Sequence, residues 1–270
     1  MSLRTHPLAG GRFYLRQMHR LIYPPRQGVV RDPQISTYAL RMPRLPEACS
    51  GLRVVQLSDI HYSLYLAPAA AERAVELANR LQPDIIALTG DFVTKARQFI
   101  EPMAELLAGL RARLGVFAVL GNHDFRVDAG MVSRALARRR IRVLRNTHRR
   151  LQVGGGRITV AGIDDARQRP SLDVALGARQ ASGFTLLLAH SPASLADAAA
   201  HGVDLVLSGH THGGQINFGI AAPFYDRHFP SGFLQSGSTR MYVSRGLGQV
   251  IVPWRLGCPP EIAAFTLYRA

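Results

Sequence analysis

The stretch Leu205-Val206-Leu207-Ser208-Gly209-His210-Thr211-His212-Gly213-Gly214-Gln215 joins a short apolar run to two histidines at i and i+2, framed by three glycines. A run this short, broken by glycine, suits a buried strand that ends abruptly better than a helix. Two such histidines inside a core would each need several buried polar partners. As nitrogen donors at a strand end they can serve two neighbouring cations, and the glycines let backbone and a phosphoryl group come close.

The same design recurs upstream. Val54-Val55-Gln56-Leu57 runs into Ser58-Asp59-Ile60-His61, and Ile85-Ile86-Ala87-Leu88 into Thr89-Gly90-Asp91. Val116-Phe117-Ala118-Val119-Leu120 runs into Gly121-Asn122-His123-Asp124, and residues 184–189 end in His190. Between them, apolar Ala74, Leu77, Ala78 and Leu81 at helical spacing predict a helix over residues 68–81, and a second is expected near residues 102–113. Strands alternating with helices place the chain in the α/β class, and runs apolar on both faces suit a covered sheet. Further strands are expected at 35–42 (an edge), 142–144, 151–153, 158–161, 242–243 and 261–268, with Gly154-Gly155-Gly156 as a turn. Residues 1–34 read as a basic appendage and 35–270 as one domain, since no linker, repeat or low-complexity tract divides the latter.

Each motif also has an ordinary reading. Asp59-x-His61 is a half-site if the segment is extended, because residues two apart then share a face, or a surface turn. Asp91 can bridge two ions with its two oxygens, or cap the next helix. Asn122 offers a carbonyl oxygen while His123 and Asp124 form a hydrogen-bonded acid pair, or all three are turn material. His190 supplies one more nitrogen, or is a satisfied structural histidine. Taken together, five strand ends carry two Asp, one Asn and four His, and in an open parallel sheet such ends share one edge. Seven O/N donors without a thiolate suit manganese, iron, zinc, cobalt or nickel rather than calcium or a structural zinc. That is the composition of a hydrolytic centre with ions roughly 3.5–4 Å apart.

Composition bounds the rest. The chain has 270 residues, 47% hydrophobic and 19% charged, which excludes global disorder. It carries 33 Lys+Arg against 18 Asp+Glu, with Lys95 the single lysine, so its net charge of +15 attracts anions. No aromatic–basic interleaving of the base-stacking kind is present, so nucleic acid is not an expected partner. Residues 12–23 pattern as a short basic amphipathic helix stopped by Pro24 and Pro25, either packed on the domain or touching an anionic membrane surface. Residues 218–233, with Phe224, Tyr225 and Phe229, form an apolar loop that suits a lid or a lipid-linked substrate. Cys49 and Cys258 make neither a zinc knuckle nor a disulfide framework. No stretch approaches the roughly 18 apolar residues of a membrane span, nor is a secretory signal visible. The expected location is cytoplasmic or peripheral on the inner face of the cytoplasmic membrane, with no obligate protein partner.

The ordered set D-x-H, G-D, G-N-H-D, a lone H and G-H-T-H, over about residues 52–215, resembles the calcineurin-like metallophosphoesterase superfamily. The closing stretch, Arg245-Gly246-Leu247-Gly248 through Arg255 to Pro259-Pro260-Glu261-Ile262, resembles a narrower bacterial subgroup of YkuE- and YaeI-like phosphodiesterases. The resemblance implies a four-layer α/β/β/α sandwich with mixed sheets and two divalent ions, manganese being the expectation in vitro. Asp59, His61, Asp91 and His212 would hold the first ion, and Asp91, Asn122, His190 and His210 the second. His123 would stabilise the phosphoryl group or protonate the leaving oxygen, oriented by Asp124. The implied reaction is phosphodiester hydrolysis by in-line attack of a metal-activated hydroxide. Arg126 and Arg245 are candidates for substrate contacts. The alternatives are a UDP-2,3-diacylglucosamine pyrophosphatase-type hydrolase, a nuclease and a non-catalytic scaffold.

Overall fold

The computed structural model describes residues 22–23, 32–63, 66, 68–177, 183–216, 231–251 and 254–270. Strand β1 (Ile22–Tyr23) precedes β2 (Gln34–Met42), β3 (Leu52–Leu57), helix α1 (Pro68–Arg80), β4 (Ile85–Leu88), α2 (Ile100–Leu107) and β5 (Gly115–Ala118). Then come α3 (Asn122–Arg138), β6 (Arg142–Val143), β7 (Thr147–Val153), β8 (Gly156–Gly162), α4 (Leu172–Leu176), β9 (Phe184–Leu188) and α5 (Leu195–Ala200). The remaining strands are β10 (Leu205–Ser208), β11 (Gly232–Ser236), β12 (Thr239–Val243), β13 (Arg255–Leu256) and β14 (Glu261–Arg269).

Two six-stranded mixed sheets result, ordered β2-β14-β3-β4-β5-β6 and β11-β12-β10-β9-β8-β7. Strands β3 to β6 run parallel, as do β8, β9, β10 and β12, so their carboxyl ends gather at one rim. Strand alternation builds the layers. Val54, Ile85, Ala87 and Phe117 face Phe184, Leu186, Leu188, Leu205 and Leu207 across the gap between the sheets. Their neighbours Val55, Leu57, Ile86, Leu88 and Ala118 point the other way, onto α1, α2 and α3. On the second sheet, Leu187 and Val206 pack beneath α4 and α5. Strands buried on both faces read as continuous apolar runs for this reason. The layers are thus α/β/β/α, as the resemblance implied.

Several elements differ from expectation. The five motif-bearing strand ends belong to two facing sheets, three from one and two from the other, rather than to one open sheet. The second helix stops at Leu107 instead of Arg113, because Asn79 of α1 captures the chain: its side chain donates to Gly109 O at 2.8 Å and accepts from Arg111 N–H at 2.8 Å. Strand β11 was not foreseen, and Phe233, assigned to an apolar loop, lies in it with its ring edge-on to Tyr38 and Tyr242. The rest of that loop, residues 217–230, lies outside the described residues. So does most of the basic segment expected at 12–23; its last two residues, Ile22 and Tyr23, pair as a strand with Leu256 and Arg255 rather than continuing a helix. Both cysteines are buried and free. Among the described residues no helix is long and apolar enough to cross a membrane.

Candidate metal centre

At the shared rim the chain leaves β3, β4 and β10 through left-handed residues. Asp59, His61, Asp91, His210 and His212 have φ of 50°, 48°, 54°, 75° and 53°. Non-glycine residues adopt this conformation only where the surroundings enforce it, and it concentrates at functional sites. Here the enforcing contacts are mutual. Asp59 N–H donates to Gly90 O (3.0 Å), His61 N–H to Asp91 O (2.9 Å), and His210 N–H to Asp59 Oδ1 (3.0 Å). Asp59 and His61 therefore share a site through a turn held against the β4 loop, not through the extended alternation expected of them.

The donor atoms converge in two groups. In the first, His61 Nε2 lies 3.1 Å from His212 Nε2, and His212 Nε2 lies 3.5 Å from Asp59 Oδ1. In the second, His190 Nε2 lies 3.2 Å from His210 Nδ1 and 3.2 Å from Asn122 Oδ1. Asp91 stands between them, its Oδ2 3.4 Å from both His61 Nε2 and His190 Nε2. Its Oδ1 accepts the His123 N–H at 2.8 Å. Asp91 thus turns Oδ2 toward both groups while Oδ1 also holds the backbone of the turn that carries His123. The groups Asp59/His61/His212, His61/Asp91/His123 and Asp91/His190/His210 each offer donor atoms within 4.8 Å of one another.

This donor set fits a divalent metal. Buried imidazole nitrogens facing each other at 3.1–3.2 Å repel unless a proton or cation lies between them. Burial holds His61 neutral, its pKa lowered to about 3, and likewise His210, lowered to about 4. Burial also pushes His212 well below the usual histidine value. Three neutral nitrogens are thereby ready to donate at neutral pH. Burial opposes charge on His190 too, but Asp91 and Asp59 outweigh it and push its pKa up to about 10. Burial likewise opposes ionisation of Asp91, yet His190, His61 and His123 hold its carboxyl well below the usual range. Asp59 is raised by burial to about 6. His190 thus holds its proton against ionised Asp91, and a metal ion bound there would replace that proton.

Two assignments change. Asp124 does not pair with the His123 ring: its carboxylate accepts from Phe92 N–H (2.9 Å), Val93 N–H (3.2 Å) and Gly121 N–H (2.9 Å). It therefore pins the β4 loop to the start of α3, reaching back to the N-cap as an acid in the first turn does. The His123 ring is set by Thr94, whose carbonyl accepts from Nδ1 at 3.0 Å. Arg245 is committed to buried Glu261, Oε1 at 2.9 Å, whereas Arg126 is exposed. Sequence reading missed Thr94, whose hydroxyl also lies 3.3 Å from His61 Nδ1, and Gln56, which donates to Ser208 O (2.8 Å) and so links the two sheets just beneath the site. A polar residue inside an apolar run was the available signal for Gln56.

Gly209 shows how closely the two rims meet. A Cβ there would lie 1.9 Å from Ser58 Oγ and 2.3 Å from Asp59 Oδ2. Gly209→Ala is expected to cost about 1–3 kcal/mol of stability, the scale of overpacking, and to weaken metal uptake through displacement of Asp59. Urea denaturation and metal titration together check it; an unchanged pair of values would show that the rims are free to part.

Comparison with known proteins agrees with this geometry. Over 243 residues the chain is 32% identical to the uncharacterized metallophosphoesterase YkuE of Bacillus subtilis, covering 87% of this chain and 85% of that one. It is 30% identical over 245 residues to the uncharacterized metallophosphoesterase YkoQ of the same organism, covering 86% and 89%. Similarity is not confined to bacteria: a zebrafish (Danio rerio) transmembrane protein with metallophosphoesterase domain is 32% identical over 255 residues, 89% of this chain but 58% of that one. The family model for calcineurin-like phosphoesterases matches residues 52–214, which contain every donor described above. By descent as well as by the chemistry at its sheet rims, the chain belongs to the calcineurin-like phosphoesterase family, and so to the metal-dependent phosphoester hydrolases.

Proposed function

We propose that the chain hydrolyses phosphodiesters at a centre of two divalent ions, held by Asp59, His61, Asp91 and His212 and by Asp91, Asn122, His190 and His210. The observation that carries this reading is the position of Asp91 Oδ2, equidistant at 3.4 Å from one histidine of each donor group. Bound ions of this kind supply Lewis acidity, drawing charge from phosphoryl oxygens and lowering the pKa of water towards neutrality. The protein's own part is positioning and proton transfer. His123 Nδ1 donates to Thr94 O, which leaves Nε2 as the nitrogen that holds or releases a proton at the leaving oxygen. Asp91 Oδ1 and Asp124 fix the backbone of the turn that carries His123. Asp124 itself, with both oxygens accepting backbone N–H groups, acts as scaffold rather than as base.

The preference for diesters rests on the resemblance to the YkuE- and YaeI-like subgroup. A lipid-linked pyrophosphate substrate and a membrane-surface contact drew on residues 218–233 and 12–23, and no described residue favours either. The test is hydrolysis of bis-p-nitrophenyl phosphate against p-nitrophenyl phosphate, before and after chelation and readdition of manganese. Diester cleavage that chelation abolishes and manganese restores is the expected result. Activity indifferent to chelation would overturn the metal centre, and preference for the monoester would overturn the substrate class.

A further inference from the structure

The closing stretch contains a buried cation that the proposed chemistry does not use. Arg255, on β13, is the largest fully buried side chain among the described residues. None of their carboxylates forms an ion pair with it. Its guanidinium is spent on carbonyls and on the Cys258 sulfur: Nε donates to Gly248 O at 2.9 Å, and one terminal nitrogen to the same oxygen at 2.5 Å. That second nitrogen also lies 3.3 Å from His212 Nδ1, and the other donates to His212 O at 3.4 Å, Cys258 O at 3.5 Å and Cys258 Sγ at 3.8 Å. Gly248 in turn donates its N–H to Asp59 O at 2.7 Å, and Leu247 N–H to Ser58 O at 2.9 Å. No side chain fits at Gly248, where a Cβ would lie 2.1 Å from Ile60 O. One planar fork therefore spans the carbonyl of His212 and, through Gly248, the backbone of Asp59. Both residues belong to the first donor group. The second is oriented differently, with His190 Nδ1 donating to Thr89 O at 2.8 Å.

We infer that Arg255 is a positioning residue for the first donor group alone, locking the backbone of His212 against that of Asp59 through its simultaneous bonds to the carbonyls of His212 and Gly248. The inference rests on the two-ion reading above. Only a five-donor planar group can make these contacts at once, so lysine cannot replace it. Residues that orient a metal ligand typically change affinity or activity by about 10–100-fold when lost.

The experiment is manganese titration of the purified full chain by calorimetry, for wild type, Arg255→Met, Arg255→Lys and Arg255→Ala. Wild type is expected to take up two ions per chain; uptake of none would sink the two-ion reading and this inference with it. Arg255→Met and Arg255→Lys are expected to keep one site at wild-type affinity and lose about tenfold or more at the other. Guanidinium added to Arg255→Ala is expected to restore part of that loss. Equal weakening of both sites would reveal a merely structural role and overturn the inference, as would two sites of wild-type affinity in the variants. If Arg255→Met fails to fold, Arg255→Lys, which keeps the charge and most of the volume, decides by the same criteria.

Discussion

Asp91→Asn is expected to lower kcat for bis-p-nitrophenyl phosphate by about a thousandfold or more while leaving the fold intact. Asparagine keeps an oxygen at the Oδ1 position, so the 2.8 Å bond from His123 N–H survives and fixes the amide orientation. The loss falls on Oδ2, where a carboxylate oxygen 3.4 Å from both His61 and His190 becomes a hydrogen-bond donor aimed at nitrogen lone pairs. Lewis-acid stabilisation is worth several kcal/mol of barrier, and about 1.4 kcal/mol is tenfold in rate. Elemental analysis should show fewer bound ions than in wild type, with circular dichroism unchanged. Wild-type turnover in this variant would remove Asp91 from the centre and, with it, the reason for placing two ions there.

The second large effect concerns His123. Replacing it with alanine is expected to lower kcat by about 10²- to 10⁴-fold, the range for a general acid, without loss of metal. Metal retention follows because its backbone N–H, rather than its ring, engages Asp91. The size of the loss should depend on the substrate. A leaving group that departs readily as an anion needs little protonation, so nitrophenyl diesters should suffer least and alkyl diesters most. A series of diesters of graded leaving-group pKa measures this slope. A loss equal across the series would make His123 a stabiliser of the phosphoryl group instead of a proton donor.

Much of the fold was legible because its signals are local. Strands β3, β4, β9 and β10 are mainly apolar runs of four to six residues with Gly, Asp or His within two residues of their ends, and the structure starts or stops them within two residues of expectation. Helix α1 carries its buried face at the expected spacing. Strand β11 was missed because its sequence, Gly232 to Ser236, alternates only weakly and follows a long aromatic stretch. The end of α2 was misplaced because a partner from another helix, Asn79, decides where it terminates.

The sequence by itself determined which atoms are available to the site. Asp59, His61, Asp91, Asn122, His190, His210 and His212 each follow a strand directly or within a short loop, so a local rule delivers them to a rim. What only the tertiary structure decided is how those atoms face. Asp59 meets His210 across 151 residues of chain, and Gln56 meets Ser208 across 152, so their geometry depends on how two separate sheets pack. The left-handed turns, the commitment of one Asp91 oxygen to a backbone N–H, and the pairing of His123 with Thr94 instead of Asp124 all arise from that packing. No spacing along the chain encodes them, because hydrogen-bond partners at such separations are chosen by close approach in three dimensions. Arg255 follows the same logic. Its place in the closing motif is legible in sequence, but only its complete burial against His212 and Gly248 shows what it holds.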